Sequence, residues 1–288
     1  MTSDDSQAAL VRELLRDQFP QWAALPVAAA GAQSTANTMF RLGADLVVRL
    51  PRDAGAAEDI VKDRHWLPRF APDLPVAIPS PLAMGEPSSS FPLPWGVYSW
   101  LEGVNPDVVS GGESLAKDLA AFTTAMHALG TAGAPASFRS ETLADRDAST
   151  RDAIAALAST IDPAAALRVW DRARRAPGRA GSPVWLHADL QPGNVLVADG
   201  RLTAVIDFGC MGLGDPAVDL IAAWYLLTPA ARDAFRTESG ADEAEWERGR
   251  GWALSIALNE LRAYRTVNAT MGEKARHVLA GLLLDGTP

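Results

Sequence analysis

Trp185-Leu186-His187-Ala188-Asp189-Leu190-Gln191-Pro192-Gly193-Asn194-Val195-Leu196-Val197 is followed, after Asp199-Gly200, by Leu202-Thr203-Ala204-Val205-Ile206-Asp207-Phe208-Gly209. The reading of this stretch decides the rest. Trp185-Leu186 is short, apolar and strand-like, so it carries the chain out of a core at His187. Asp189 then falls on a loop, where a side chain can face a cleft. Pro192-Gly193 turns the chain sharply, and Asn194 returns just before Val195-Leu196-Val197 re-enters the core as a strand. Asp199-Gly200 is a strong two-residue hairpin signal, and the return strand, Leu202 to Ile206, ends at Asp207. A hairpin of this length makes Asn194 and Asp207 neighbours across the pair, a geometry for sharing a metal ion.

Phosphoryl transfer from a nucleotide requires one carboxylate to orient the attacking hydroxyl, and an amide oxygen and a second carboxylate to hold divalent metal. Asp189, Asn194 and Asp207 supply these in order, in the spacing His187-x-Asp189-x-x-x-x-Asn194 and then Asp207-Phe208-Gly209 that protein kinases use. Taken singly, an Asp before a Pro-Gly turn is an ordinary turn or cap residue, and Asp-Phe-Gly is a common tripeptide. Both motifs in order, bridged by apolar, turn and apolar segments, are far more specific.

The stretch resembles the aminoglycoside phosphotransferase family of small-molecule kinases, whose signature is close to His-Gly-Asp-Leu-His-Pro-Gly-Asn followed by Ile-Asp-Phe-Gly. This chain departs from it at Ala188, where the family has Gly, and at Gln191, where it has a second His; neither change removes a carboxylate or the Asn. Asp215-Pro216-Ala217-Val218-Asp219-Leu220 also resembles the family, where such a segment opens a buried helix. The resemblance runs from about residue 30 to 265 and is strongest from Trp185 to Leu227. It implies an α+β, bilobal protein-kinase-like fold: an N-terminal lobe built on an antiparallel sheet (residues 1–101, nucleotide-binding) and a larger, mainly helical C-terminal lobe (102–288, catalytic and substrate-binding). It implies Mg²⁺ at Asn194 and Asp207, with ATP or GTP as phosphoryl donor and a hydroxylated small molecule as acceptor. Arg49 falls at the phosphate-contacting position where kinases generally carry Lys; its fixed charge and planar donor fork suit the role without being equivalent. Asp63 falls where the family usually has the Glu that pairs with this cation, and Glu58 is the alternative partner.

Composition sets bounds around this reading. With 288 residues, 48% hydrophobic and 21% charged, the chain is an ordinary globular protein long enough for one large domain or two lobes. The net charge of −9 argues against a nucleic-acid partner, since phosphate binding needs a basic footprint. An acidic surface also suits cationic substrates, although it serves solubility equally well. Cys210 is the lone cysteine, so no intrachain disulfide is possible and a reducing compartment fits. The N-terminus lacks a signal-peptide pattern and no apolar run reaches membrane-spanning length, so a cytoplasmic protein without a membrane partner, monomer or dimer, is expected.

Along the chain, residues 6–19 read as an amphipathic helix ended by Pro20. Gly31 to Asn37 is small and polar, placed between extended segments. In a nucleotide-binding reading this loop lies over the triphosphate, with backbone N–H groups and the hydroxyl of Ser34 or Thr35 donating to it; a plain hairpin loop is the alternative. Strands are expected at Thr38–Leu42 and Leu46–Leu50, then a helix over Ile60–Leu67 and edge strands and turns over 71–94. Trp95–Leu101 reads as the last strand of the first lobe, and backbone groups near Trp100 and Leu101 at its end would bind the purine edge. Helices follow at 113–129, 148–160 and 163–176; His127, in the first, reads as structural. The arginines at 172, 174, 175 and 179 read as a solvated surface. After Asp207-Phe208-Gly209, Cys210 to Gly214 reads as a loop and Asp215 to Leu227 as one buried helix, within which Asp219 bonds backbone N–H groups and braces the catalytic loop. His187 supports the same loop through hydrogen bonds. Helices at 229–238, 241–266 and 271–284 complete the chain. In the second of these Glu260 offers an acid to a substrate amine, with a surface position as the plainer reading.

The function that follows is a small-molecule kinase, first of all an antibiotic O-phosphotransferase (aminoglycoside, macrolide or similar), with a housekeeping metabolite kinase of the choline, homoserine or sugar type as the alternative. A protein kinase is disfavoured because the Gly-rich loop and the Ala-Pro-Glu element are missing and the loop after Asp207 is short. A nucleotide-binding protein without catalysis has no need of Asp189.

Overall fold

A computed structural model of the chain describes residues 3–30 and 36–284, so Ser34 and Thr35 lie outside the described residues. The chain divides into two compact units, Met1–Glu102 with Val205–Gly209, and Gly103–Ala204 with Cys210–Pro288.

The first unit runs α1 (Ser3–Gln18), β1 (Val27–Ala29), β2 (Asn37–Leu42), β3 (Leu46–Pro51), α2 (Ala54–Phe70), β4 (Pro81–Gly85) and β5 (Trp95–Ser99). The strands form one antiparallel sheet in the order β1-β2-β3-β5-β4. Side chains alternate between its faces. Phe40, Leu42, Val48, Leu50, Trp95 and Val97 pack against Ala8, Val11, Leu14 and Leu15 of α1. The opposite face carries Arg49 and, paired with it in register, Gly96, and α2 packs there. Asp53 caps α2 by accepting the Ala56 N–H at 2.9 Å, which starts the helix at Ala54, a full turn and more before the apolar periodicity at Ile60 becomes visible. Pro81 opens the edge strand β4, where its missing N–H costs nothing. The aromatic strand stops at Ser99, because the Trp100 N–H turns to Asp45 O at 2.7 Å.

The second unit holds α3 (Glu113–His127), α4 (Asp147–Ala156), α5 (Pro163–Arg175), β6 (Val184–Leu186), β7 (Val195–Ala198), β8 (Arg201–Val205), β9 (Gly212–Gly214), α6 (Ala222–Tyr225), α7 (Pro229–Ser239), α8 (Glu243–Tyr264) and α9 (Ala269–Leu284). Helix α8 is buried over most of its length and packs on α4, α5 and α9. The β7–β8 turn is a primed hairpin turn: Asp199 and Gly200 have φ of 51° and 73°. The last residue of β8 begins the segment that belongs to the first unit, where the Val205 N–H bonds Ala77 O at 3.0 Å.

Two expectations are corrected. The segment Cys210–Gly214 is not all loop, because its last three residues pair antiparallel with β6, Trp185 opposite Leu213. Gly212 has φ 157° and a Cβ there would meet Ser137 N at 2.4 Å, so the strand approaches another backbone where only glycine fits. The segment Asp215–Leu227 is not one helix. It is a 3₁₀ turn over Pro216–Ile221, capped by Asp215 through the Ala217 N–H, and then the single α-turn α6. Every residue from Pro216 to Leu227 is buried, so there is no solvent-facing stripe for a regular amphipathic helix to present, and short 3₁₀ pieces are common at such helix starts.

Candidate active site

In the second unit the loop after β6 is held from below by one carboxylate. Asp219, fully buried, accepts the N–H of His187 at 3.2 Å and of Ala188 at 2.7 Å, as its place in the sequence led one to expect. His127 Nε2 lies 3.0 Å from Asp219 Oδ2, so that histidine is structural and is part of the same brace. His187 is buried, edge-on to Phe122, and its Nδ1 accepts the Asp189 N–H at 3.2 Å. Ala188 takes φ 67°, a conformation that favours glycine, at the position where the resembling family carries Gly.

These supports present the Asp189 carboxylate to three donors. Arg139 Nη2 and Gln191 Nε2 donate to Oδ1 at 2.8 and 3.1 Å, and Asn194 Nδ2 donates to Oδ2 at 2.9 Å. Asn194 Nδ2 also reaches Asp189 O at 2.8 Å, while Asn105 fixes the turn by donating to Gly193 O and Val195 O at 3.1 and 2.9 Å. Glu260 is not a surface residue. It is partly buried, with Gln191 Nε2 donating to Oε1 and the Tyr225 hydroxyl donating to Oε2, both at 2.8 Å. Burial pushes its carboxyl above the usual range against the lowering effect of those two donors. Sequence reasoning missed Arg139, Asn105 and Tyr225 as members of this network.

In the first unit Arg49 Nη1 lies 3.4 Å from Asp63 Oδ2, with both side chains buried, whereas Glu58 is exposed; of the two candidate acids, Asp63 is the partner. The Tyr98 hydroxyl donates to the same oxygen at 3.3 Å and the Arg49 guanidinium stacks 4.2 Å from the Tyr98 ring centroid. Gly96 makes room for that ring, since a Cβ there would stand 2.4 Å from Tyr98 Cε2. Burial raises the Asp63 carboxyl to about 7, opposed by Arg49 and reinforced by Asp207. Asp207 itself has φ 62°, a left-handed conformation that Asp tolerates better than most residues. Lys62 Nζ donates to Gly209 O and pairs with Asp59 at 2.9 Å, which ties the Asp207-Phe208-Gly209 turn to α2. The carboxyl of Asp59 is raised by burial, and Asp207 adds to that through like charge.

Among the described residues no three His, Cys, Asp or Glu side chains form a metal-holding cluster. Each unit nevertheless carries an oxygen donor of the kind suited to Mg²⁺, a hard cation usually held by one or two protein oxygens while phosphates and water fill the rest. Asn194 uses Nδ2 toward Asp189, which leaves Oδ1 as the atom to face a cation. Asp207 adds its charge to that of Asp59 and Asp63, an excess of carboxylate that a divalent ion would relieve. The Trp100 N–H donates to Asp45 O at 2.7 Å, and its ring lies under the Arg41 guanidinium at 4.0 Å.

The fold is the protein-kinase-like one of antibiotic phosphotransferases. The chain is 19% identical to the enzyme in the GDP and kanamycin complex of APH(2")-IIia, with TM-score 0.73 over 96% of this chain and 98% of that one. It is 22% identical to macrolide 2'-phosphotransferase MphH from Brachybacterium faecium, with TM-score 0.61 over 95% and 98%. It is 16% identical to the enzyme in the streptomycin–ATP–APH(2")-IIa ternary complex, with TM-score 0.59 over 98% and 97%. No curated protein sequence matches significantly. The sequence profile of the phosphotransferase enzyme family matches residues 28–252, and by that match the chain belongs to the phosphotransferase enzyme family.

Proposed function

We propose that the protein transfers the γ-phosphoryl group of ATP or GTP to a hydroxyl of a small molecule, with hydroxylated antibiotics as the first acceptor class and hydroxylated metabolites as the rival class. The observation that carries this reading is the three-donor clamp on Asp189. Among the described residues Oδ1 is engaged by Arg139 and Gln191, and Oδ2 by Asn194 alone, so Oδ2 keeps a lone pair for an incoming hydroxyl. A carboxylate held in this way is a fixed hydrogen-bond acceptor that orients the hydroxyl for in-line attack. Alignment of that hydroxyl, which a loose transition state rewards, is its contribution.

Bound at Asn194 and Asp207, Mg²⁺ would neutralise charge on the nucleotide phosphates. Arg49, braced by Asp63 and Tyr98, adds a second positive group for the same phosphates, and Trp100 O with Leu101 would meet the base edge. Asp219, His127 and His187 hold the backbone on which Asp189 stands. The described residues include no helix long and apolar enough to cross a membrane, and with a lone cysteine the chain suits a reducing, cytoplasmic setting.

The test is a screen of hydroxylated antibiotics and metabolites with ATP and GTP, scored by the mass gain of one phosphate. Asp189→Ala should lose at least about a hundredfold in kcat while nucleotide still binds. Full turnover in that variant would remove Asp189 from the role, and nucleotide binding with no acceptor phosphorylated would favour a binding protein without catalysis.

A further inference from the structure

We propose that Arg139 selects the acceptor: the hydroxyl to be phosphorylated is flanked by an oxygen that accepts a hydrogen bond (carboxylate, carbonyl or ether) and not by an ammonium group, so the substrate is a neutral or anionic hydroxylated molecule. This rests on the phosphoryl-transfer reading of Asp189 and narrows it.

Arg139 is held in place by its surroundings. Its segment lies against the β9 backbone: the Ser137 N–H donates to Leu213 O at 3.0 Å, Ser137 Oγ to Cys210 O at 2.8 Å, and the Phe138 N–H to Cys210 O at 3.2 Å. The Arg139 N–H in turn donates to Ser137 Oγ at 3.1 Å. From this fixed backbone the side chain, only 13% exposed, sends Nε to Ala188 O at 2.7 Å and Nη2 to Asp189 Oδ1 at 2.8 Å. Two of the five guanidinium N–H groups are thereby used. Nη1 makes no hydrogen bond among the described residues, and in a rigid planar fork it stands beside the carboxylate that the other arm holds. A hydroxyl that donates to Asp189 therefore arrives next to an unused cationic donor.

The charge balance of the site points the same way. Recognition of an ammonium beside the reacting hydroxyl needs a carboxylate with charge to offer. The charge of Asp189 is matched at contact distance by Arg139. The other acid of the network, Glu260, already accepts from Gln191 on Oε1 and from Tyr225 on Oε2, and burial disfavours its charged form, so it is a weaker partner for a cation than an open carboxylate. An ammonium would instead meet the guanidinium at close range, which costs affinity in a poorly solvated site. An oxygen acceptor would complete the fork in the way Arg commonly binds carboxylates and other planar oxygen groups. Phe138 is 73% exposed, and its ring centroid is 5.8 Å from the guanidinium. It offers an apolar face for the carbon skeleton of such an acceptor.

The experiment uses the full chain with Mg²⁺ and ATP or GTP, and sets matched acceptors against each other: amino sugars and kanamycin, neutral glycosides, and sugar or hydroxy acids. The wild type should favour the neutral and carboxylate-bearing acceptors by at least about tenfold in kcat/KM, the scale of one charged contact. Arg139→Met should erase that ratio, raising KM for the acceptor far more than KM for the nucleotide, and Arg139→Lys should keep the ratio at a lower rate. Preference of the wild type for ammonium-bearing acceptors would overturn the proposal whether or not any variant folds. So would an Arg139→Met enzyme that slows equally on every acceptor, since a residue that only braced the loop would behave so. If the wild type phosphorylates nothing in the panel and hydrolyses no nucleotide, the phosphoryl-transfer reading itself falls and takes this proposal with it.

Discussion

Asp219 Oδ1 accepts the amide N–H of Ala188 at 2.7 Å, from a carboxylate with no solvent exposure. The other oxygen serves the His187 N–H and His127 Nε2. One side chain thus satisfies two backbone donors on the loop that carries Asp189 and a ring nitrogen on α3. Asp219→Ala should lower unfolding stability by about 3–5 kcal/mol, the cost of orphaning partners of a buried charge. Asp219→Asn should be nearly as harmful despite its shape, because its NH₂ must confront a donor. Urea midpoints of the three proteins measure this, and an Asn variant as stable as the wild type would show that His127 or water can take over the acceptor's place.

Asp207 stands at φ 62° in the turn that Lys62 ties to α2. Asn tolerates this backbone conformation as well as Asp does. Asp207→Asn should therefore keep its melting temperature within about 2 °C while kcat falls at least about a hundredfold, through loss of a charged metal ligand. Titration of nucleotide with and without Mg²⁺ should show the metal-dependent part of the affinity weakened and the metal-free part kept. An active Asp207→Asn enzyme would end the metal-ligand assignment.

The motif residues were legible because their chemistry is local. Asp189, Gln191 and Asn194 lie within six positions of one another, and the Asp199-Gly200 turn announces its own backbone conformation. Asp63 was legible as the partner of Arg49 only through the helix that presents it. Arg139 was not legible. It lies 50 positions from Asp189 in a run of small residues with no period, and what places it is the approach of β9 at Gly212, where the missing Cβ makes room for the Ser137 backbone. The same glycines hid β9 itself, since Gly in a strand pattern reads as a loop. Glu260 read as a surface residue because nothing in α8 shows that Gln191 and Tyr225 close over it.

Gly85 ends the edge strand β4 opposite Trp95, and a Cβ at this position would stand 2.0 Å from Trp95 Cε2. The Trp95 ring has no exposure and packs against Phe19 at 5.3 Å, so it has nowhere to go. Gly85→Ala should destabilise the first unit by about 3 kcal/mol or more, the upper end of overpacking costs. The fluorescence transition of the first unit, to which Trp22, Trp66, Trp95 and Trp100 contribute, should report the loss in urea. If the variant unfolds at the wild-type midpoint, β4 shifts along its edge without resistance.

Glu260 gives the site a pH dependence whose sign is fixed by its burial. Its folded-state carboxyl lies above the ordinary value of 4.5, from burial first, partly offset by the donors Tyr225 and Gln191. The folded state therefore holds this proton more tightly than the unfolded chain does. Linkage then makes the group's contribution fully present below about pH 4.5 and diminishing as pH rises through the raised folded value, after which it is constant. Glu260→Gln removes the titration and keeps one acceptor oxygen for its two donors, a pH-independent loss of about 1 kcal/mol. The stability of the wild type relative to Glu260→Gln should accordingly fall as pH is raised from about 4 toward neutrality and then level off. Urea midpoints of both proteins across that range decide it. A difference that grows with pH instead would mean that Tyr225 and Gln191 stabilise the carboxylate by more than its burial penalises it.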